Sequence, residues 1–541
     1  MALRSTTRGV LLGIALLGAI LADGLAATAA GQTPFPSAAD DERARVVHLL
    51  QRATYGARPE DIAAALADGP EAWLERQLHP ETIEDSALLP RLASLPAVSM
   101  SLEELYAAYP TPRRVRAMAG DADSIERDRL RREMRAEGLE SPRRIGGELA
   151  GARLQRAVYS ERQLEAVMTD FWFNRFNVYR GKGMDRWLVP AYEREAIRPH
   201  VFGRFEDLLS ATARHPAMLF YLDNWRSIAP DSLRPAGAAG AARDLPEGAG
   251  FNENYARELL ELHTLGVDGG YTQADVEAAA RALTGWSIAL RGEVPEFRFR
   301  PALHDVGEKR FLGHVLPAGR GIEDGEAVLE ILARHPSTAR HVARDLAEAF
   351  VADDPPPALV DRLTRVFLET DGDLRAVTRA LFTAPEFYDP AVRGGKVKSP
   401  FELVASALRL TDAEVAPVNA AGEYLRSAGE IPYGARDPIG YPETAEEWID
   451  GGAMLLRMNL ALELASGKTR GVEIDADGLA SGAAGRDPVQ ALAARLVPGG
   501  GSQRVAEVVR THLASASEGG PARPAERALG LILGSPEFQK R

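Results

Sequence analysis

The stretch from Phe251 to Thr272 carries the clearest helical pattern of the chain. Wound at about 100° per residue, its segment 252–266 separates into an apolar and a polar face, as an amphipathic helix does. Gly266 suits the left-handed residue that commonly ends a helix, and Thr272 with Asp275 predicts a capping box for the next helix. Capped amphipathic segments recur along the chain, whereas alternating strand patterns are scarce. We therefore predict an all-α, mainly α-helical protein with at most a small β-hairpin near residues 297–312.

The polar face of segment 252–266, called the hallmark helix below, is dense in charge. It is formed by Glu253, Asn254, Arg257, Glu258 and Glu261. Arg257 stands four residues from both Glu253 and Glu261, which is the spacing of helical ion pairs. A solvated face would gain only about 0.2–0.5 kcal/mol from each such pair. Our hypothesis is instead a buried polar network at a functional site, in which Arg257→Ala would cost about 3–5 kcal/mol.

Several histidines and charged groups lie near this pattern in the sequence. His263 falls in the middle of the apolar face, so a straight helix cannot direct it to the same point as Glu258, and a hydrogen-bonded core histidine is the interpretation. If the hallmark carboxylates outnumber their cations, other groups could complete the network. The candidates are Arg198 and His200, beside a proline at a helix start, and His304 with Asp305, in the connection of the predicted hairpin. Helix capping by His200 and turn formation by Asp305 are the alternatives.

The motifs resemble those of a known family. Besides the hallmark helix they are His48–Gly56, Arg198–His200, His215–Met218, Tyr221–Asn224 and Ser535–Phe538. Together they make the chain similar to the bacterial DUF1800 family, a domain of unknown function with no established activity. Proteins that resemble this family are often encoded beside an exported sulfatase-like family, which implies an exported sulfatase-like protein as a partner. The family commonly has a histidine where this chain has Arg175, which puts a catalytic or metal role at that position in doubt.

The amino terminus has the pattern of a secretory signal peptide over residues 1–29. Arg4 and Arg8 precede an apolar run from Val10 to Leu21, and small residues follow near Ala29. The apolar run is shorter than the about 20 residues that span a bilayer, although an uncleaved anchor is the alternative. We therefore expect an exported protein, periplasmic or extracellular, without stable membrane insertion after cleavage.

Composition narrows the function classes. The chain contains no cysteine, which excludes disulfides, thiol chemistry and cysteine metal sites. Its formal net charge of −13 argues against a nucleic-acid partner, because phosphates call for a basic surface. Neither a nucleophile elbow, nor a phosphate-binding glycine loop, nor a His-Glu-x-x-His zinc motif occurs in the sequence.

Beyond the signal peptide, the pattern divides the chain into four regions. These are an amino-terminal helical region with a charged arm (30–150), a core helical domain with the hallmark helix (151–330), a carboxyl-terminal helical region (331–465), and a linker with a terminal helical unit (466–541). Residues 228–250 are rich in alanine, glycine and proline, and we interpret them as a loop that could serve as a lid over the hallmark helix.

Two functions from different classes remain open. One is a hydrolase or lyase acting on an extracellular polymer, with Glu258 as acid, base or ligand, Glu261 as its partner and Arg257 as the positioning cation. A divalent metal could assist this chemistry. The other is a non-catalytic scaffold or binding protein that works with the sulfatase-like partner. A carboxylate pair lining a pocket would favour the enzyme, and solvated carboxylates beside an apolar surface patch would favour the scaffold.

Overall fold

Helices form most of the chain, as the periodicity predicts. The computed structural model describes residues 38–119, 129, 132, 139–230, 250–292, 294–481, 487–515 and 523–541. The predicted signal peptide, most of the candidate lid and much of the charged arm therefore lie outside the described residues. The α-helices span Ala38–Ala53, Pro59–Asp68, Pro70–Leu78, Leu89–Ala93, Leu102–Ala108, Pro112–Ala119, Arg143–Tyr159, Gln163–Arg175, Asp185–Ala191, Phe205–Arg214, Pro216–Tyr221, Asn254–Glu258, Gln273–Ala282, Glu323–Ala333, Pro336–Phe350, Pro357–Glu369, Leu374–Thr383, Pro400–Leu410, Gly422–Ser427, Gly451–Ala465, Ala476–Ser481, Pro488–Leu496, Ser502–Ser515 and Pro524–Leu533.

Local sequence signals set many of these boundaries. The helix Gln273–Ala282 begins with the expected capping box, because Thr272 accepts from the backbone of Asp275 and Asp275 accepts from that of Thr272. His215 caps the helix Pro216–Tyr221 by accepting from the Ala217 amide through Nδ1 over 3.1 Å. The amide hydrogens of the first helical turn have no partner within the helix. Proline has no amide hydrogen, so it fits at many of these helix starts.

Short β-hairpins interrupt the helices, and their pairing differs from the sequence interpretation. Strand β1 (Trp286–Arg291) pairs antiparallel with β2 (Val294–Phe299), which sets Ile288 opposite Phe297. Strand β3 (Lys309–Phe311) pairs with β4 (His314–Leu316). The single hairpin predicted near residues 297–312 is therefore replaced by two hairpins, in which residues 297–299 pair with 286–288 and not with 309–311. A third two-stranded ladder joins β5 (Glu414–Val415) to β6 (Val472–Glu473).

One large hydrophobic cluster runs from Val46 to Phe538 and draws on every region from 30–150 to 466–541. An aromatic group lies within it, where Trp172 packs against Phe176 and Phe205 with ring centroids 6.2 and 6.1 Å apart. Because no cysteine is present, burial of this apolar surface has to hold the fold without disulfides.

The boundaries between the four regions of the chain stay a prediction. Within the described residues, no helix has both the length and the apolar character that a bilayer crossing requires.

The hallmark helix changes its winding midway. Residues Asn254–Glu258 are α-helical, and Leu259–His263 continue as a π-helical turn. Thr264 Oγ1 donates to the Leu259 carbonyl over 2.6 Å and so occupies an acceptor at the end of the helix. Gly266 follows with φ +85°, as expected for the residue that ends a helix. Single π-helical turns are rare and are frequently found at functional sites.

Three buried histidines make the fold sensitive to acid. Burial lowers the pKa of His48, His215 and His263 to about 3 each. In the unfolded chain the same imidazoles take up protons below about pH 6.5, whereas in the folded protein they stay neutral. Falling pH therefore favours the unfolded chain, and the stability that is complete above about pH 6.5 is lost. We expect each to lower the free energy of unfolding by about 1 kcal/mol between pH 7 and pH 5.5. Urea titrations measure this loss. His215→Asn, which retains a capping side chain, should show a loss smaller by about 1 kcal/mol, and an unchanged loss would contradict the account.

Candidate functional site

The polar face of the hallmark helix forms a hydrogen-bonded network with the next helix. Arg257 lies between two carboxylates of its own helix, 3.7 Å from Glu253 and 3.5 Å from Glu261. Gln273 accepts a hydrogen bond from Arg257 over 2.8 Å and donates one to Glu253 over 2.7 Å. Tyr271 donates to Glu261 over 2.6 Å. The carboxylates are thus fixed in position by partners outside the apolar core.

The prediction that this face points into the protein interior is wrong. The exposed fraction of the side chain is 39 % for Arg257, 36 % for Glu253 and 23 % for Glu261, and Asn254 is exposed. The opposite face, which carries Tyr255, already packs into the core. A helix with its apolar face buried turns its charged face toward solvent, where ions need no complete set of partners. The network is therefore a partly exposed surface, most covered at Glu261.

Glu258 belongs to the same face but differs from its neighbours. Its side chain is half-buried, and burial raises the pKa of Glu258, with a further contribution from the nearby charge of Glu261 and an opposing one from Arg257. Arg257 bridges Glu253 and Glu261. Glu258 therefore holds its proton more tightly than an isolated glutamate.

The π-helical turn directs Glu261 and His263 into different surroundings. Glu261 and Leu262 line an open cleft, whereas His263 turns into the core and packs on Phe176 with ring centroids 5.0 Å apart. His263 is only 2 % exposed, which confirms a core histidine. Its Nε2 atom has no hydrogen-bond partner among the described residues, so the expected hydrogen bond is absent at that atom.

The cleft beside the hallmark helix has a volume of about 390 Å³. Carboxylates dominate its charged lining, with Glu261, Asp345, Glu348 and Glu443 against the single guanidinium of Arg175. Glu258 is not among the residues that line it. Because carboxylates outnumber cations here, the cleft attracts neutral or cationic groups more readily than anions.

The cation of the cleft is already paired. Arg175 forms an ion pair with Asp345 and lies 3.5 Å from the carbonyl oxygen of His263. His341 donates through Nδ1 to the Thr264 carbonyl over 2.7 Å. Burial lowers the pKa of His341 to about 3, so the imidazole is neutral at physiological pH. This side of the cleft is thus a fixed wall that ties the end of the hallmark helix to the helix Pro336–Phe350.

The opposite wall is the loop 437–442, and Asn174 holds it in place. The Asn174 amide donates to the Tyr441 carbonyl over 2.8 Å and to Glu443 over 3.1 Å, and its oxygen accepts from the Tyr441 amide over 2.7 Å. Asn177 donates to the carbonyl of Asp437 over 2.8 Å. Side chains on this loop are therefore presented by a fixed backbone.

Glu443 stands where the cleft meets a smaller cavity of about 70 Å³, because it lines both. Phe171, Asn174, Tyr441 and Pro442 are shared in the same way. Burial raises the pKa of Glu443, and the charge of Glu402 adds to the shift against opposition from cationic neighbours. Glu443 is thus a carboxyl that tends to keep its proton at the inner end of an open cleft.

Arg198 lies in a different buried cluster. It pairs with Glu193 over 2.5 Å, while Arg156 lies 3.5 Å from the same carboxylate and Tyr433 also donates to it. These cations hold the pKa of Glu193 at about 2 despite its burial. Arg198 therefore does not supply charge to the hallmark helix. His200 is half-exposed, follows Arg198 in a 3-10 turn and does not line the cleft.

His304 and Asp305 are buried, so the expectation of a pair on a loop tip is wrong. Arg281 binds both oxygens of Asp305, over 2.7 and 3.1 Å. Lys309 lies 2.7 Å from Asp324, which is 3.4 Å from His304. The cluster anchors the connection between the hairpins, because each buried charged group in it is paired with a group of opposite charge.

Sequence reasoning missed most of the cleft. Glu443, Glu348 and Asp345 lie far along the chain from the hallmark helix, and no local pattern connects them to it. Asn174 offered one signal, as a polar residue in an otherwise aromatic segment. In the described part of the chain, no group of three or more histidine, aspartate and glutamate residues is arranged to hold a metal ion.

Comparison with known proteins agrees with the motifs. Residues 48–540, nearly the whole chain, match the family described as "Protein of unknown function (DUF1800)". No curated protein and no solved structure matches the chain. The resemblance seen in the motifs is therefore confirmed.

The burial of the two arginines predicts opposite outcomes for the same substitution. Arg257→Ala should lower the free energy of unfolding by less than about 1 kcal/mol, because its pairs are partly exposed. Arg198→Ala should cost about 3 kcal/mol, because it leaves the buried carboxylate of Glu193 short of a cation. Urea denaturation of both variants measures the difference. Equal losses would contradict the assignment of one cluster to the surface and the other to the core.

Proposed function

The chain belongs to the DUF1800 family, and we propose from its cleft that it is a hydrolase that cleaves a neutral or basic extracellular polysaccharide by acid–base catalysis. The observation that carries this proposal is the pair Glu261 and Glu443, which line one cleft in different surroundings. Glu261 accepts a hydrogen bond from Tyr271 and is ion-paired with Arg257. Glu443 has a raised pKa. Carboxyls whose surroundings differ in this way can divide the roles of acid and base.

The proposed reaction uses both groups once in each turnover. Glu443 gives its proton to the oxygen of the leaving sugar as the glycosidic bond breaks. Glu261 takes a proton from a water molecule whose oxygen forms the new bond to the anomeric carbon. The enzyme then returns to its starting state when Glu261 loses a proton and Glu443 regains one. Arg257 acts as a positioning residue, because its ion pair fixes the carboxylate of Glu261.

Glu258 is the second candidate for the acid. It is half-buried, has a raised pKa and is next to the base on the same helix. Its position outside the cleft lining favours Glu443 for contact with substrate. Separate variants of the two carboxyls therefore decide between them.

The charge of the cleft favours hydrolysis over elimination. A lyase that opens a polyuronate must neutralise the sugar carboxylate while the neighbouring proton is removed, which calls for a free cation. Arg175 is already paired with Asp345. The aromatic ring of Tyr441 and the exposed side chains of Val267 and Ile439, 69 % and 67 % exposed, offer apolar surface for the faces of sugar rings. These features support a neutral or amino sugar polymer as the substrate.

The proposed location of the protein is outside the cytoplasm. The pattern of residues 1–29 supports export, which would bring the cleft into contact with extracellular polymers. A binding protein without catalysis is favoured by one observation, the exposed apolar pair Val267 and Ile439 at the cleft. In that case the cleft would hold a sugar polymer or a sulfatase-like exported partner and cleave nothing.

A reducing-end assay tests the proposal. The mature protein is incubated with chitosan, cellulose and a mixed-linkage glucan, and with alginate and polygalacturonate as anionic polymers. We expect cleavage of at least one neutral or basic polymer and none of the polyuronates. Release of ends from the polyuronates alone would contradict the substrate class, and binding without cleavage would select the binding protein.

Variants then assign the roles. Glu261→Gln and Glu443→Gln should each lower kcat by about 100-fold or more, because each removes a proton-transfer group. Glu308→Gln, which changes an exposed carboxylate outside the cleft, should leave kcat unchanged. Activity should fall as the pH rises above the raised pKa of Glu443, since the acid must carry a proton. Full activity in Glu443→Gln together with loss in Glu258→Gln would transfer the acid role to Glu258.

A further inference from the structure

The smaller cavity behind Glu443 is large enough for water and polar enough to keep it. Its volume of about 70 Å³ exceeds the roughly 10–15 Å³ that one water molecule requires. Tyr55, Asp170, Glu430 and Tyr433 contribute hydroxyl and carboxyl groups to its lining. A polar cavity of this size holds water, whereas an apolar one stays dry.

Most polar groups of the cavity are committed to one another. Arg153 pairs with Asp170 over 2.9 Å and its guanidinium lies 4.1 Å from the ring centroid of Phe401. Tyr55 donates to Asp170, and Tyr433 donates to Glu193 outside the cavity. These contacts fix the walls. Glu402 is paired with Arg541 over 2.6 Å, and Glu430 accepts hydrogen bonds from the Phe401 amide and the Ser399 side chain.

Glu430 is buried, with 5 % of its surface exposed. One of its oxygens accepts from the Phe401 amide over 2.7 Å at the start of the helix Pro400–Leu410. Burial raises the pKa of Glu430 to about 7, against the positive charge of Arg153. The charged and titratable groups around it are Arg153, Glu402, Tyr424, Tyr433, Tyr441 and Arg457.

A second small cavity of about 20 Å³ lies against the first. The two share Tyr55, Glu402 and Arg541 in their walls. The lining of the second cavity reaches half-exposed Glu537 and exposed Lys540, and it includes no residue of the cleft. Glu430 and Glu443 thus line one cavity, and a second cavity lies between its wall at Tyr55, Glu402 and Arg541 and the surface at Lys540.

We propose that Glu430 returns protons to Glu443 through water held in this cavity, which rests on the proposed role of Glu443 as the acid. After Glu443 has given its proton to the leaving group, a proton passes from the carboxyl of Glu430 along hydrogen-bonded water to the carboxylate of Glu443. Glu430 then regains a proton from solvent by way of the second cavity. The proton that Glu261 took from water leaves through the cleft, so each turnover ends without net uptake. Glu430 acts through Glu443 and does not touch substrate.

A helix cap without proton transfer is the alternative role of Glu430. Two variants separate the roles, because Glu430→Gln keeps an oxygen for the Phe401 amide but has no proton to give, whereas Glu430→Ala loses both. Infrared difference spectra of the full mature chain, recorded as the pH is raised, report the protonated carboxyl directly. We expect a carboxylic C=O band that disappears near pH 7, is absent in Glu430→Gln and shifts its midpoint in Glu443→Gln. The band should move within seconds of mixing with D₂O, since water reaches the group.

The infrared measurement needs no substrate, so its outcome does not depend on whether the protein is a hydrolase. If a polymer is cleaved, Glu430→Gln should lower kcat by about tenfold with KM unchanged, and kcat should become sensitive to the concentration of small buffer acids that replace the lost donor. A missing band, or a band that exchanges only over hours, would overturn the proposal. So would Glu430→Gln with wild-type kcat and pH dependence, which would leave Glu430 a helix cap.

Discussion

The cost of taking a charge out of water governs how this chain packs. Glu193 is the clearest case, because its carboxylate is 4 % exposed and is held by Arg198, Arg156 and Tyr433. These partners come from separate segments, so the ion cluster joins helices that the apolar core alone would pack less specifically. The cluster of Arg281, Asp305, Lys309 and Asp324 does the same for the hairpins.

The same rule is the reason why we propose the cleft as the reactive part of the molecule. In these two buried clusters the carboxylates are matched by cations, whereas in the cleft Glu261, Asp345, Glu348 and Glu443 outnumber Arg175. Carboxylates without a paired cation can remain charged there because the cleft is open to water. Burial raises the pKa of Glu443, so the cleft carries a carboxyl that tends to keep its proton as well as the fixed carboxylate of Glu261.

Local features of the fold could be read from the sequence, and long-range ones could not. The capping box at Thr272, the helix end at Gly266 and the burial of His263 depend on neighbouring residues and were confirmed. The periodicity of the hallmark helix separated two faces, but the polar partners Tyr271 and Gln273, which lie beyond the helix, could not be predicted from it. Glu443 joins the site only through the tertiary fold, so no local pattern could have identified it. Residues 297–299 pair with 286–288 and not with 309–311, so two hairpins replace the single one predicted.

We propose above all that the cleft between the hallmark helix and the loop 437–442 binds a sugar polymer. A crystal structure of the mature Glu443→Gln protein, soaked with a chitosan oligosaccharide, tests it most directly. The account predicts sugar density in the cleft, with a ring against Tyr441 and a glycosidic oxygen facing residue 443. Density seated elsewhere, or an empty cleft in crystals whose protein binds the same oligosaccharide in solution, would contradict it.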